Sequence, residues 1–118
     1  MKRVMIVDDA LFIRNALKIM LEKSGFDVCG MASDGREAVK LYPAVRPDIV
    51  TMDITMPGMN GIEALKAIRK IDQSAVIVMV SAMGSKRLVV EAIQSGAKNF
   101  IVKPFQEEQV IKVLESFK

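Results

Sequence analysis

Four short fragments carry groups able to do chemistry: Asp8-Asp9, Asp53, Ser81-Ala82 and Lys103-Pro104, each standing where an apolar, β-branched run ends. Each therefore reads as the last residues of a strand. In an open parallel α/β sheet the carboxyl ends of the strands share one edge, so residues far apart in the chain converge on one crevice. Three carboxylates, a hydroxyl and an ammonium group would then face a single pocket. Two carboxylates about 5 Å apart repel by about 3 kcal/mol at an effective dielectric near 20, so the cluster needs cations among it. Lys103 is one candidate and a divalent metal is the other.

The composition narrows the chemistry further. The chain has no histidine and 1 cysteine, which excludes histidine general bases, Ser-His-Asp triads, His-ligated zinc and thiolate metal sites. What remains is carboxylate, hydroxyl and lysine chemistry with hard cations. Taken alone, Asp8-Asp9 also reads as a solvated turn with a helix cap, Ser81 as an ordinary strand-end hydroxyl, and Lys103-Pro104 as a turn. Asp53 resists such a reading, because it follows Ile49-Val50-Thr51-Met52, a run expected in the middle of the sheet, where an unpaired charge is costly.

These residues are positioned by an alternation of short apolar runs and segments of helical period. Strands are expected over Arg3–Val7, Asp27–Met31, Ile49–Met52, Ala75–Val80 and Asn99–Val102. Val76-Ile77-Val78-Met79-Val80 has no polar alternation, as befits a strand covered on both faces of a parallel sheet. The first helix, Leu11–Lys23, places Leu17, Met20 and Leu21 on one stripe and stops at Ser24-Gly25. Two more begin at caps, Asp34 with Glu37 three residues on and Asn60 with Glu63 three residues on. A fourth is expected from Lys86 to Ser95 and a fifth from Glu107 to Phe117. The implied fold is a single α/β domain over residues 1–118, a doubly wound five-stranded parallel sheet with five helices. In the fourth helix Leu88, Val89 and Val90 are consecutive, so at least one must face outward.

With 118 residues, 51% hydrophobic and 26% charged, the chain has material for one core and no second module. The net charge of +3 comes from basic residues scattered among 14 acidic ones, so nucleic-acid binding is not expected. Cys29 lies in the apolar run Val28-Cys29-Gly30-Met31 and is expected to be a buried, inert thiol. The four apolar residues Val4 to Val7 are too few for a signal-peptide core, and no run approaches membrane-spanning length. A soluble, cytoplasmic protein is expected.

Val7-Asp8-Asp9, the run Met52-Asp53-Ile54-Thr55-Met56-Pro57-Gly58-Met59-Asn60-Gly61, Ser81-Ala82 and Val102-Lys103-Pro104-Phe105 together resemble the receiver domains of bacterial two-component response regulators. Within that family the chain is similar to the single-domain, CheY-type chemotaxis regulators, which carry no output domain. The resemblance spans essentially the whole sequence. It implies a flavodoxin-like sandwich with strand order 2-1-3-4-5, and it implies roles. Asp53 is then the phosphoacceptor, taking a phosphoryl group from the phosphohistidine of a sensor histidine kinase. Asp8, Asp9 and Asp53, with the backbone carbonyl of Thr55, are then the Mg²⁺ ligands, and Lys103 helps neutralise the phosphoryl oxygens. Ser81 and Phe100 become switch residues that change a partner-binding face formed by the fourth helix, fifth strand and fifth helix. A cis Lys103-Pro104 peptide is implied as well. Phe100 departs from the tyrosine frequent at its position and lacks a phenolic hydroxyl. Met83 and Thr55 flank the path of a water attacking the acyl phosphate, and an apolar Met83 cannot orient it.

The expected partners are a histidine kinase and a downstream protein, the flagellar motor switch among the candidates, met by a monomer without nucleic acid or membrane insertion. A phosphorelay intermediate is the alternative within the family. From other classes come a Mg²⁺-dependent aspartyl phosphatase, which usually has a second Asp where this chain has Thr55, and a flavodoxin-like electron carrier, whose phosphate loop would here contain Asp8-Asp9 and repel the ligand. A DNA-binding regulator would want a second module.

Overall fold

A computed structural model describes residues 2–82 and 85–117. Five strands, β1 (Arg3–Val7), β2 (Asp27–Ala32), β3 (Ile49–Met52), β4 (Ile77–Ser81) and β5 (Asn99–Val102), alternate with α1 (Leu11–Lys23), α2 (Gly35–Val45), α3 (Gly61–Ile71), α4 (Lys86–Gln94) and α5 (Glu107–Glu115). All the strand pairs are parallel and the order is β2-β1-β3-β4-β5. The chain therefore leaves β1 toward β2 and returns to its other side as β3. The carboxyl ends of β1 and β3 meet at this reversal, which is where an open α/β sheet has its crevice.

The pleat sorts the side chains into two cores. Met5, Val7, Val50, Met52, Ile77 and Met79 pack with Ala38 and Tyr42 of α2, Ile62, Leu65 and Ile68 of α3, and Ala92 of α4. On the opposite face Val4, Ile6, Ile49, Val78, Val80 and Ile101 pack with Leu17 and Leu21 of α1 and with Val110 and Leu114 of α5. Because β1, β3 and β4 contribute to both, they are mostly apolar without alternation, Thr51 being the buried polar exception within β3, as expected for strands with helices on both sides.

Several boundaries differ from expectation for identifiable reasons. Ala75 precedes β4, its N–H closing a turn onto the Asp72 carbonyl, and Val76 also lies outside the strand, while Ser81 belongs to β4 and pairs with Val102. β2 runs one residue further, to Ala32, which pairs with Val7. Ser95 and Ser116 cap α4 and α5 instead of lying inside or before their ends. At Asn60 the capping box is complete, with Glu63 N–H on the Asn60 side chain and Glu63 Oε1 accepting from Asn60 N–H. At Asp34 only half of it forms, because Glu37 Oε1 accepts from Ser33 N–H instead. Cys29 is half-buried, not buried: the β1–β2 register slips between Val4 and Met5, and its thiol lies 3.5 Å from the Val4 carbonyl. Burial pushes the thiol pKa up, which lowers the share present as the reactive thiolate. Val90 is exposed and Leu88 and Val89 are half-buried, as three consecutive apolar residues on one helix require.

Candidate functional site

Each chemical residue stands at or just past the end of a strand, and the sheet's own hydrogen bonding holds its backbone. Asp8 N–H donates to the Ala32 carbonyl at 3.1 Å, Asp53 N–H to Val7 at 2.9 Å, and Lys103 N–H to Ser81 at 2.9 Å. The ladder thus extends one residue beyond β1, β3 and β5. A side chain anchored this way inherits the rigidity of the central sheet, which a loop residue would lack.

Asp8, Asp53 and Ser81 are buried, while Asp9 is exposed at the rim. One carboxylate oxygen from each of Asp8, Asp9 and Asp53 lies within 4.8 Å of the others. Lys103 enters from β5, its Nζ 2.6 Å from Asp8 Oδ2 and 3.7 Å from Asp53 Oδ2. The lysine is thus nearer the carboxylate of Asp8 than that of Asp53. The Lys103–Pro104 peptide is cis, as implied.

Asp53 is held above the usual carboxylate range, chiefly by burial, with the Asp8 charge pushing the same way. Lys103, the Ser81 hydroxyl hydrogen-bonded to it and the Ile54 N–H pull in the opposite direction without prevailing. A buried carboxylate short of positive charge, backed by two more, is a hard-oxygen donor set suited to a small divalent cation such as Mg²⁺, which needs few protein carboxylates because it keeps several waters.

Thr55 lies two residues beyond Asp53, exposed in the β3–α3 loop. Phe100 is half-buried, opposite Met79 in the β4–β5 register, and packs on the core beneath α2, α3 and α4. Met83 lies outside the described residues. The structure therefore brings Asp8, Asp9, Asp53, Ser81 and Lys103 together and leaves Thr55 beside them and Phe100 on the far flank of β4.

Two contributors were not read from the sequence. Gly61 starts α3 directly behind the phosphoacceptor candidate: a Cβ there would lie 1.8 Å from the Asp53 carbonyl oxygen and 2.8 Å from Ile54 Cα, while its N–H donates to the Ile54 carbonyl. Its place after the Asn60 cap was a helix signal, and nothing local announces a close approach. Arg14 is the other, its Nη1 donating to the Asp8 carbonyl at 2.6 Å.

Residues 4–115 match the response regulator receiver domain family. The chain belongs to that family. It is 58% identical over 113 residues to the chemotaxis protein CheY of Thermotoga maritima, covering 96% of this chain and 94% of that one. The CheY of Bacillus subtilis is 54% identical, over 95% of this chain and 93% of its own. Among solved structures, a CheX–CheY–BeF3–Mg²⁺ complex from Borrelia burgdorferi superposes with a TM-score of 0.95 at 41% identity, covering 99% of this chain and 90% of that chain. The receiver is thus a phosphorylation-activated signalling switch and not a conventional enzyme. No helix among its described residues is long and apolar enough to cross a membrane.

Proposed function

We propose that the receiver takes a phosphoryl group on Asp53 from the phosphohistidine of a sensor kinase and thereby controls a protein partner in chemotaxis. In the transfer an Asp53 carboxylate oxygen attacks phosphorus, the phosphorus–nitrogen bond breaks, and the imidazole leaves with that electron pair. The chain has no histidine, so the donor is supplied by another protein. Mg²⁺ would be held by Asp8, Asp9 and Asp53 together with the Thr55 carbonyl, and would supply charge neutralisation for the phosphoryl oxygens. Lys103, already within 3.7 Å of Asp53 Oδ2, offers an ammonium group to the same oxygens. Ser81 exchanges its hydrogen bond to the Asp53 carboxylate for one to the phosphoryl group, and Phe100 responds on the neighbouring strand.

The observation that carries this reading is the convergence of three carboxylates within 4.8 Å of one another beside a single ammonium group. A flavin-phosphate site would gain nothing from such repulsion, and an aspartyl phosphatase would want an acid where Thr55 stands. Apolar exposure at Val90 (43%), Ile93 (46%) and Val102 (44%) supports a partner face on α4 and β5. The curated relatives called chemotaxis protein CheY favour chemotaxis over a phosphorelay, and the flagellar motor switch is the target proposed on that reading.

The test is incubation with acetyl phosphate and Mg²⁺, followed by intact mass and peptide mapping. One phosphoryl group on Asp53, lost in Asp53→Asn and in chelator, is the expected result. Labelling at another residue, or labelling that persists in chelator, overturns the assignment. Steady turnover of p-nitrophenyl phosphate would instead favour the phosphatase. Tighter capture of a flagellar switch protein in the presence of beryllium fluoride, a phosphoryl mimic, checks the target.

A further inference from the structure

Arg14 has no part in the chemistry above, and its own helix gives no reason for it. It closes the first turn of α1, where a cation opposes the positive end of the helix macrodipole, and that turn contains no acidic residue. The guanidinium instead reaches back six residues, and Nη1 donates to the main-chain carbonyl of Asp8 at 2.6 Å, in a part-buried setting. The turn it spans needs holding. Ala10 occupies the N-cap of α1 and provides no side-chain cap, while its N–H is taken by Asp8 Oδ1 at 2.9 Å. The other Asp8 oxygen faces Lys103 at 2.6 Å.

We propose that Arg14 is a positioning residue for the divalent cation. By gripping the Asp8 carbonyl it fixes the β1–α1 turn, so that the carboxylates of Asp8 and Asp9 are presented toward Asp53 in one arrangement. This rests on the reading that those three carboxylates hold the ion. A groups-behind-the-ligands role of this kind is familiar in metal sites, where removing the orienting partner weakens affinity without touching a ligand.

The alternative to positioning is simple electrostatics, and it has the opposite sign. A guanidinium beside an acidic pocket repels a divalent ion, so deleting it would tighten binding. Calorimetric titration of the full chain with Mg²⁺ separates the two. Positioning expects Arg14→Ala to raise the Mg²⁺ dissociation constant by about 10-fold or more, and Arg14→Lys, which keeps a donor and the charge, to recover most of the loss. The rate of labelling by acetyl phosphate should then show a higher Mg²⁺ concentration at half-maximum with the maximal rate little changed. Lys18→Ala, which removes a cation from the same helix at its exposed pair with Glu22, should leave the dissociation constant unmoved. Thermal unfolding of each variant checks that it is folded at the titration temperature. Unchanged or tighter Mg²⁺ binding by folded Arg14→Ala, or an equal loss in Lys18→Ala, overturns the proposal. A wild-type chain that takes up no Mg²⁺ overturns the reading of the carboxylate site itself, and the proposal with it.

Discussion

Replacing Asp53 by Asn should stabilise the protein in chelator at neutral pH, although under the proposed assignment it should also abolish phosphorylation. Asp53 is buried, with carboxylate oxygens of Asp8 and Asp9 within 4.8 Å and the Lys103 ammonium 3.7 Å away. At an effective dielectric near 20, Asp8 repels it by about 3.5 kcal/mol and the lysine attracts it by about 4.5 kcal/mol, so the charges nearly cancel, and burial of the carboxylate, with Asp9 exposed at the rim, supplies the remaining cost. Asn keeps the shape and discards the charge. It also forgoes part of the Lys103 and Ser81 interactions, so a gain of about 1–2 kcal/mol is expected. For a domain of this size that corresponds to a rise of about 3–10 °C in the unfolding midpoint.

The pH dependence supplies the sharper test. A carboxyl whose native pKa is raised binds its proton more readily folded than unfolded, so folding is favoured when it is protonated. Its contribution is present below the ordinary value near 3.8 and is lost as pH rises through the raised native value. The advantage of Asp53→Asn should accordingly be full at pH 7 and fade as pH approaches 3.8. Scanning calorimetry of both proteins from pH 3.5 to 8 in chelator, with ~1 mM Mg²⁺ as a second arm, follows it. Mg²⁺ should raise the wild-type midpoint more than that of the variant. A variant less stable than wild type at pH 7 in chelator, or an advantage that grows on acidification, would refute the reasoning.

The core makes further predictions. Thr51 is buried in β3 and its Oγ1 has no hydrogen-bond partner among the described residues, so Thr51→Val should raise stability by about 1 kcal/mol, read as a higher urea midpoint at unchanged slope. Gly61→Ala would drive a methyl into the Asp53 carbonyl and should cost about 3 kcal/mol or more; because the clash is with the loop carrying Asp53, the rate of labelling by acetyl phosphate should fall as well in whatever fraction remains folded. Tyr42 donates to Asp72 at 2.8 Å, and burial first, then that bond, pushes its pKa well above the usual phenol range. Its ultraviolet titration should therefore show no phenolate at pH 11, and Tyr42→Phe should lose about 1 kcal/mol.

Much of the fold was legible because a parallel sheet covered on both faces writes itself as uninterrupted apolar runs. The β3 run Ile49-Val50-Thr51-Met52 and the cap at Asn60 fell where expected, since each depends only on neighbours within a turn or a strand. The slip of β4 to Ile77 was not legible, because Ala75 and Val76 are as apolar as the strand, and what removes them is a turn closed onto Asp72. The half-burial of Cys29 was not legible either, because it goes with a register break against the neighbouring strand β1.

For the site, residue types alone restricted the chemistry to carboxylates, a hydroxyl and an ammonium group with a hard cation, and their positions at run ends nominated Asp8, Asp53, Ser81 and Lys103. Those are local properties of the chain. Their mutual distances are not: Lys103 is 95 residues from Asp8, and only the order of strands brings its Nζ to within 2.6 Å. The nearness of the lysine to Asp8 and the raised pKa of Asp53 arise from elements meeting across the sheet, while the grip of Arg14 on the turn and the absence of room at Gly61 arise where a helix folds back on the strand end just before it. Sequence determined which groups could react and that they would stand at strand ends, because periodicity and composition act over a few residues. Tertiary structure decided which of them touch, because packing places atoms whose separation along the chain carries no information about their separation in space.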